Sequence, residues 1–296
     1  MLRIILLFVG GLFSILPAIA QEEFVLTQTG KSDYNRVSLT FSSTYSTCFI
    51  GPTTDTSSSI LFYNNDYKES FRNQSKFHYE EDTQFIQVDL GKENSSLISS
   101  SFSGNIFGKN ANKNFDYFLS LSNDKPLMLN LNYAIGDAEV DLSDLPVERL
   151  KIKTGSANVN LNYDQGSPNK LLMDTLYVKV DMGTFTTTNL HLSKANVILT
   201  DIGFGRAFLD FSSIPDKACN VRASVGAGSL EIVLPDSEIP VVIQFNDSPL
   251  CKVRLPKAYR KIDKNTYTNY DAELNPEEML QFSVDVALGN ITFSTK

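Results

Sequence analysis

The sequence has few of the residues on which many enzyme classes depend. Its 296 residues contain no tryptophan, two histidines and three cysteines. Two histidines leave little room for a histidine-built metal site or for a catalytic relay with a histidine base. In contrast, 42% of the residues are hydrophobic. This apolar content supports a packed core and excludes a disordered chain.

Basic residues are also scarce relative to acidic ones. Lysine and arginine number 26 against 34 acidic residues, which gives a net charge of −8. Nucleic acids and anionic membranes select for basic surfaces, so no nucleic-acid partner is expected. After residue 20 no apolar run approaches the roughly 20 residues of a membrane-spanning helix, so the mature chain is expected to lack a membrane span.

The first 20 residues have the pattern of a secretory signal peptide. Arg3 supplies the positive charge, Ile4 to Leu16 is apolar, and Ala18-Ile19-Ala20 is a small-x-small cleavage site. This apolar run is short for a membrane anchor, and an uncleaved anchor is the alternative. We therefore expect cleavage before Gln21 and export to the periplasm or the cell exterior, within the cell envelope.

Short alternating strands punctuated by single glycines make up most of the remaining sequence. Before Gly136 the apolar residues occupy odd positions from Leu127, and after it they occupy even positions from Ala138. A side-chain period of two shifts by one residue only where the backbone bends, and glycine permits such a bend. The change of parity recurs at Gly155, Gly226 and Gly289, and in weaker form at Gly183, whereas the segment around Gly203 keeps the two strands without a simple change of parity.

The spacing of these glycines predicts the architecture. Glycines 136, 155, 183, 203 and 226 are separated by 19, 28, 20 and 23 residues, and a loop at residues 166–169 accounts for the longest step. Periods near 20 residues are typical of β-solenoids, whose turns stack on one another. A β-sandwich with bulged strands is the competing all-β fold.

The mature chain is expected to contain an N-terminal β region followed by the repeat domain. Residues 21–125 are expected to form an N-terminal β region, either a cap or a side module, with strands at Phe24–Leu26, Arg36–Phe41, Ile60–Tyr63 and Phe85–Leu90. Residues 126–296 are expected to form the repeat domain. Within it, strands are predicted at Pro240–Phe245 and Leu250–Leu255, and a short helix near Asn275–Glu278.

The three cysteines leave two alternatives open. Cys219 and Cys251 alternate with apolar neighbours and are predicted to face the core. They form either a disulfide, which an exported compartment permits, or two buried thiols. Cys48 is the expected unpaired thiol.

Three segments carry a family resemblance: Gly136–Leu161, Ala223–Pro235 and Val284–Phe293. They resemble the adhesin-type or toastrack family, which includes the C-terminal domain of LiaF-like cell-envelope stress proteins. The resemblance covers roughly residues 126–296. It implies a right-handed β-solenoid-like fold, bacterial export and a non-catalytic, structural or adhesin-like role in the cell envelope. Unlike the LiaF-like proteins, this chain has no predicted membrane helices.

Three acidic residues and the two histidines are candidates for a metal-binding or catalytic site. One face of a predicted strand carries Asp137, Glu139 and Asp141. These carboxylates form either a calcium site or a polar row that faces the solvent. Their spacing lacks a calcium-binding motif, so no metal or cofactor is predicted. His78 and His191 have no partner at a catalytic spacing, so no catalytic residue is predicted. His191, between Leu190 and Leu192, is expected on the outer face.

A basic, tyrosine-bearing segment is the predicted contact surface, for an envelope protein or a polysaccharide. Its residues are Lys257, Tyr259, Arg260, Lys261, Lys264, Tyr267 and Tyr270. A carbohydrate-active enzyme is the alternative function. Two carboxylates about 5 to 10 Å apart in one groove would favour it.

Overall fold

The computed structural model describes residues 24–25, 34–53, 60–64, 75–90, 116–213, 217–235, 239–246, 248–270 and 279–295. Within these residues the chain is all-β apart from the short 3-10 helix Leu190–Ser193. The strands are β1 (Phe24–Val25), β2 (Arg36–Pro52), β3 (Ile60–Asn64), β4 (Ser75–Glu80), β5 (Thr83–Asp89), β6 (Asp116–Leu121), β7 (Leu127–Asp141), β8 (Val147–Asn162), β9 (Met173–Thr188), β10 (Ala195–Asp210), β11 (Asn220–Leu234), β12 (Val241–Phe245), β13 (Cys251–Arg254), β14 (Arg260–Asp263), β15 (Thr266–Thr268) and β16 (Leu280–Thr295).

Seven long strands form the body of the molecule. They pair side by side in the order β2, β7, β8, β9, β10, β11 and β16, and every pair is parallel. Parallel strands need a crossover between them, and here each crossover returns the chain to the start of the next strand. The result is the predicted β-solenoid-like fold. Its right-handed sense remains a prediction, based on the general preference of parallel crossovers.

Shorter strands cover the two ends of this stack. At one end β5 pairs with the first half of β2 and β6 with its second half. At the other end β12 and β13 pair in the same way with the two halves of β16. Edge strands expose unpaired backbone groups, so divided end layers continue the hydrogen bonding beyond the long strands. The predicted boundary between residues 125 and 126 remains a prediction, and the β2–β7 ladder spans it.

Every long strand bends near its middle, and glycine occupies this position on five of the seven. Gly183 pairs with Gly205, Gly205 with Gly228, and Gly228 with Gly289. At Gly205 φ is +144°, and a Cβ atom would lie 1.8 Å from the carbonyl oxygen of Gly183. Both the dihedral angle and the close approach therefore require glycine. We call this row the bend column; its members are Ser46, Gly136, Ala157, Gly183, Gly205, Gly228 and Gly289.

The predicted repeat combined two neighbouring columns. Gly136 and Gly183 belong to the bend column, whereas Gly155, Gly203 and Gly226 lie two positions before it on their strands. Paired positions 136, 157, 183, 205 and 228 are 21, 26, 22 and 23 residues apart. The true period is therefore more regular than the glycines alone suggested.

The bend turns both halves of each strand towards one core. We call the half before the bend column the first arm and the half after it the second arm. In β7, Leu129 and Leu131 on the first arm and Ala138 and Val140 on the second are buried in the same cluster. In β10 the first-arm residues Ile198, Thr200 and Ile202 are buried, whereas the apolar Val197 and Leu199 are half-buried.

The positions of the remaining predicted strands and of His191 agree only in part with the structure. Strands β1, β3, β5, β12 and β13 lie where they were expected, whereas β2 continues to Pro52 beyond its predicted end at Phe41, and β4 and β6 were not predicted. His191 was expected on the outer face, but it is buried within the 3-10 helix. The predicted signal peptide and the helix near residues 275–278 lie outside the described residues. In the part of the chain that is described, no helix is long and apolar enough to cross a membrane.

The three cysteines are free thiols in different environments. Cys48 and Cys219 are buried, and burial raises the pKa of each to about 12. Cys251 is half-buried rather than fully core-facing.

Because the thiolate is the reactive form, we expect a thiol reagent at pH 8 to modify only Cys251 quickly in the folded protein, and all three after denaturation. Counting labelled residues by mass spectrometry tests this; a single reactive thiol after denaturation without reductant would instead show a Cys219–Cys251 disulfide.

Candidate functional site

The outer side of three neighbouring second arms carries a regular array of polar side chains. Carboxylates alternate with inward residues along β7, amides do so along β8 and hydroxyls along β9. The parallel register sets these side chains side by side. We call the array the polar face; its residues are Asp137, Glu139, Asp141, Asn158, Asn160, Asn162, Thr184, Thr186 and Thr188.

Hydrogen bonds between strands orient the polar face. Asn158 Nδ2 donates to Asp137 Oδ1 at 2.9 Å, and Thr184 Oγ1 donates to Asn158 Oδ1 at 2.9 Å. Asn160 Nδ2 donates to Glu139 Oε1 at 2.6 Å. An amide nitrogen carries two hydrogens and a carboxylate two oxygens, so each pair retains a donor and an acceptor for a ligand. The face is thus a preset pattern of alternating donors and acceptors.

An aromatic pair borders the polar face. Phe49 of β2 stacks on Phe118 of β6 with ring centroids 4.8 Å apart and an angle of 13° between the rings. Phe49 is also the register partner of Glu139. Together with Glu139 and Asn160, the two rings line a surface depression of about 440 Å³. An apolar wall therefore meets the amide–carboxylate pairs in one concave site.

The acidic row faces outwards, as the polar-row interpretation predicted. Glu139 is exposed, and Asp141 closes a turn by accepting a hydrogen bond from the backbone nitrogen of Ser143 at 3.0 Å. Burial, with a smaller effect of the Asp141 carboxylate, raises the pKa of Tyr163 well above its ordinary value. Across the described ranges, no three His, Cys, Asp or Glu side chains converge as metal ligands would.

The predicted contact surface lies elsewhere, at the last hairpin of the sheet. β14 and β15 form this hairpin, and β15 pairs with β12. Arg260 donates a hydrogen bond from Nη2 to the carbonyl oxygen of Tyr270 at 3.0 Å, and Tyr267 stacks on Phe245 with centroids 5.3 Å apart. Lys257, Arg260, Lys261, Lys264 and Tyr270 are exposed, and Tyr267 is half-buried.

Tyr259 differs from the other predicted contact residues. It is buried, and burial raises its pKa to about 12. It therefore packs the base of the hairpin and offers little contact area. All four residues of β14 are exposed, and this strand ends the sheet order. Basic side chains on such an edge also discourage pairing with another sheet.

The sequence prediction missed Phe49, Phe118 and the asparagines of β8. Asn158, Asn160 and Asn162 alternate with the inward residues that revealed the repeat, so their outward direction was available from the pattern. The alignment of β8 with β7 was the missing step, because the glycines suggested a different register. Nothing local to Phe49 or Phe118 indicates that their strands are neighbours, since they are far apart in the chain.

Comparisons with solved structures give remote similarities over most of the chain. A candidate cell adhesion protein from Clostridium sporogenes is 13% identical, with 93% of this chain and 99% of that chain covered and a TM-score of 0.42. A candidate adhesin from Bacteroides fragilis is 10% identical, with 92% and 95% covered and a TM-score of 0.34. A candidate lipid-binding protein from Parabacteroides distasonis is 9% identical, with the same coverage and a TM-score of 0.26.

No curated protein matches the chain. A family comparison does match: residues 68–175 fit the N-terminal domain of toast_rack, DUF2154. The described part of this stretch holds β4 to β8 and the first residues of β9. It begins earlier than the resemblance seen in the sequence and overlaps it at residues 126–175. The match confirms that this chain resembles the toastrack family.

Proposed function

We propose that this protein is exported and non-catalytic, and that its polar face binds a polysaccharide of the cell envelope. One observation carries the proposal: the amide–carboxylate pair Asn160–Glu139 lies beside the stacked rings of Phe49 and Phe118 in one depression. Ligand sites commonly combine an apolar wall with a few placed polar groups.

Sugars suit this combination of groups. A glycan offers hydroxyls that donate and accept hydrogen bonds, and its ring faces carry C–H groups that pack on apolar surfaces. Adjacent strands are about 4.8 Å apart, so the rows of the polar face repeat at a spacing comparable to that of hydroxyls along a sugar chain. A long, shallow face of this kind suits an extended polymer.

The charge of the polar face limits which polysaccharides it can bind. Asp137, Glu139 and Asp141 place three carboxylates along one edge, whereas the other two strands contribute neutral amides and hydroxyls. A glycan rich in uronic acids would be repelled. The proposed ligand is therefore a neutral or amino-sugar polymer.

The terminal hairpin is proposed as a separate contact surface for an envelope protein. Lys257, Arg260, Lys261, Lys264 and Tyr270 support this role because they are exposed and basic or aromatic on an otherwise acidic protein. Tyr259 belongs to its packing.

A carbohydrate-active enzyme remains the alternative because Glu139 and Asp141 lie on one face of β7. Residues two apart on a strand are separated by about 7 Å, within the range of paired catalytic carboxylates. Here, however, both are held along one wall: Glu139 by Asn160, and Asp141 by Ser143. Glycosidase carboxylates lie on opposite sides of the scissile bond, so this arrangement favours binding.

The binding proposal predicts the effect of two substitutions. We expect Asn160→Ala and Phe118→Ala each to weaken binding of chitohexaose or cellohexaose roughly five- to tenfold, because each removes one ligand-facing group. Isothermal titration calorimetry on the purified protein measures this. Alginate, a uronic-acid polymer, is expected to bind more weakly than either oligosaccharide.

Asn132→Ala is the matched control. Asn132 is an outward-facing asparagine of β7, but it lies on the first arm and hydrogen-bonds Ser42 Oγ at 3.5 Å. It should leave binding unchanged. Equal losses in all three variants, or tighter binding of alginate, would contradict a neutral-glycan site on the polar face.

A further inference from the structure

The residue immediately before the bend column forms a continuous outward row along the stack. Backbone pairing connects Ile135 to Ser156, Ser156 to Met182, Met182 to Phe204, Phe204 to Ala227 and Ala227 to Leu288. Leu250 extends the row, because its carbonyl oxygen accepts a hydrogen bond from Gly289 N, directly after Leu288. We call this row the ridge.

Large apolar side chains on the ridge are exposed to solvent. Their exposed fractions are 43% for Ile135, 57% for Met182, 62% for Phe204, 53% for Leu288 and 65% for Leu250. Scattered exposed hydrophobic residues are normal on a protein surface, but a contiguous row indicates an interaction site. With about 4.8 Å between strands, the ridge from Ile135 to Leu250 is about 30 Å long.

On the six long strands that carry the ridge, the order of side-chain sizes is the same from either end, whereas Leu250, beyond β16, lies outside this pattern. Across β7, β8, β9, β10, β11 and β16 the ridge reads large, small, large, large, small, large, with Ser156 and Ala227 as the small residues. Two copies packed antiparallel about a two-fold axis at the centre of this pattern would place each large residue opposite a large residue, such as Ile135 opposite the partner copy's leucine. The centre of the pattern lies between Met182 of β9 and Phe204 of β10.

The sign of the charges beside the ridge reverses from one end of the ridge to the other. On the second-arm side the β7 end carries Asp137 and Glu139, whereas the β13 end carries Lys252 and Arg254. On the first-arm side Lys153 of β8 and Asp285 of β16 reverse this order. Two ridges packed antiparallel would therefore bring opposite charges within about one strand spacing of each other on both sides.

We propose that two copies of this chain associate ridge to ridge about a two-fold axis, antiparallel, with β9 of one copy opposite β10 of its partner. Met182 then lies against the partner copy's phenylalanine at the centre. The net charge of −8 opposes association in general, so the flanking opposite charges select the orientation. A single narrow row buries little area, which gives a weak, reversible dimer.

A lipid surface fits the ridge less well. Membrane-binding surfaces combine exposed apolar residues with an excess of basic residues, because the headgroup region is anionic. The ridge is instead flanked by both signs of charge, with acids at each end. Complementarity to a second copy explains this alternation.

Sedimentation velocity over a range of protein concentrations tests the association. The weight-average mass of the purified protein should rise with concentration towards twice that of the monomer. Leu288→Ser and Phe204→Ser should shift the dissociation constant at least tenfold. Leu172→Ser is the matched control, because Leu172 is 56% exposed but lies off the ridge, and it should leave the constant unchanged. A monomer at every concentration, or equal weakening by Leu172→Ser, would overturn the proposal.

Disulfide crosslinking tests the antiparallel arrangement. In a Cys251→Ser background, a mixture of Ile135→Cys and Leu288→Cys chains should form a mixed crosslinked dimer, because the two positions face each other. Ile135→Cys alone should not crosslink; efficient crosslinking of that chain to itself would overturn the arrangement. Flotation with phosphatidylcholine–phosphatidylglycerol vesicles that is lost in Phe204→Ser would show that lipid occupies the ridge, and would likewise overturn it.

Discussion

Replacing Gly205 with alanine is expected to destabilise the protein by more than about 4 kcal/mol, which is enough to unfold many domains of ordinary stability. The new Cβ would lie 1.8 Å from the carbonyl oxygen of Gly183, and φ of +144° is unfavourable for an L-residue. Neither residue can move away, because the backbones of both are hydrogen-bonded in the centre of the stack. Urea denaturation followed by circular dichroism measures the loss.

Gly51→Ala is the control for this substitution. A Cβ at Gly51 would meet the Cβ of Asp141 at 3.8 Å, an ordinary van der Waals distance. Both glycines lie in long strands, β2 and β10, so a general intolerance of alanine would affect them alike. We expect Gly51→Ala to change the free energy of unfolding by less than about 1 kcal/mol. A stable Gly205→Ala protein would show that the bend of β10 does not require glycine at this position.

Substituting Asn169 with alanine is expected to cost about 2 to 4 kcal/mol. Asn169 is fully buried in the connection between β8 and β9. Its Oδ1 accepts a hydrogen bond from Val147 N at 2.9 Å, and its Nδ2 donates to the carbonyl oxygens of Val147 and Leu171 at 2.8 Å each. Alanine would leave these backbone groups buried without their partner, which costs more than losing an exposed hydrogen bond.

Thermal unfolding and amide hydrogen exchange test the role of Asn169. The variant should unfold at lower temperature, and the Val147 amide should exchange faster with solvent. Asn132→Ala removes an asparagine that makes one long side-chain hydrogen bond, so it should have little effect on either measurement. Unchanged exchange at Val147 in Asn169→Ala would contradict the bridging role.

The bent, stacked strands could be predicted because the bend changes which residues face inwards. Leu131 and Ala138 lie on opposite parities around Gly136, and both are buried. The register was harder, because Gly203 and Gly205 lie two residues apart and either could align with Gly183. Only the strand pairing shows that Gly205 does.

The candidate site was less predictable because it joins distant parts of the chain. Phe49 lies on β2 and Glu139 on β7, and nothing in either strand specifies its neighbour. The divided end layer makes this pairing hard to predict, because β6 pairs with the second half of β2 although the two strands are far apart in the sequence. The terminal hairpin, in contrast, was found as a basic segment, but the burial of Tyr259 depends on packing that composition does not indicate.

The most direct test of the central claim measures glycan binding and cleavage in the same sample. The purified protein is incubated with insoluble chitin or cellulose, and both the retained protein and newly formed reducing ends are quantified. We expect retention that falls in Asn160→Ala and stays unchanged in Asn132→Ala, and we expect no reducing ends above a protein-free control. Reducing ends that disappear in Glu139→Gln would establish the carbohydrate-active enzyme instead and contradict a non-catalytic role.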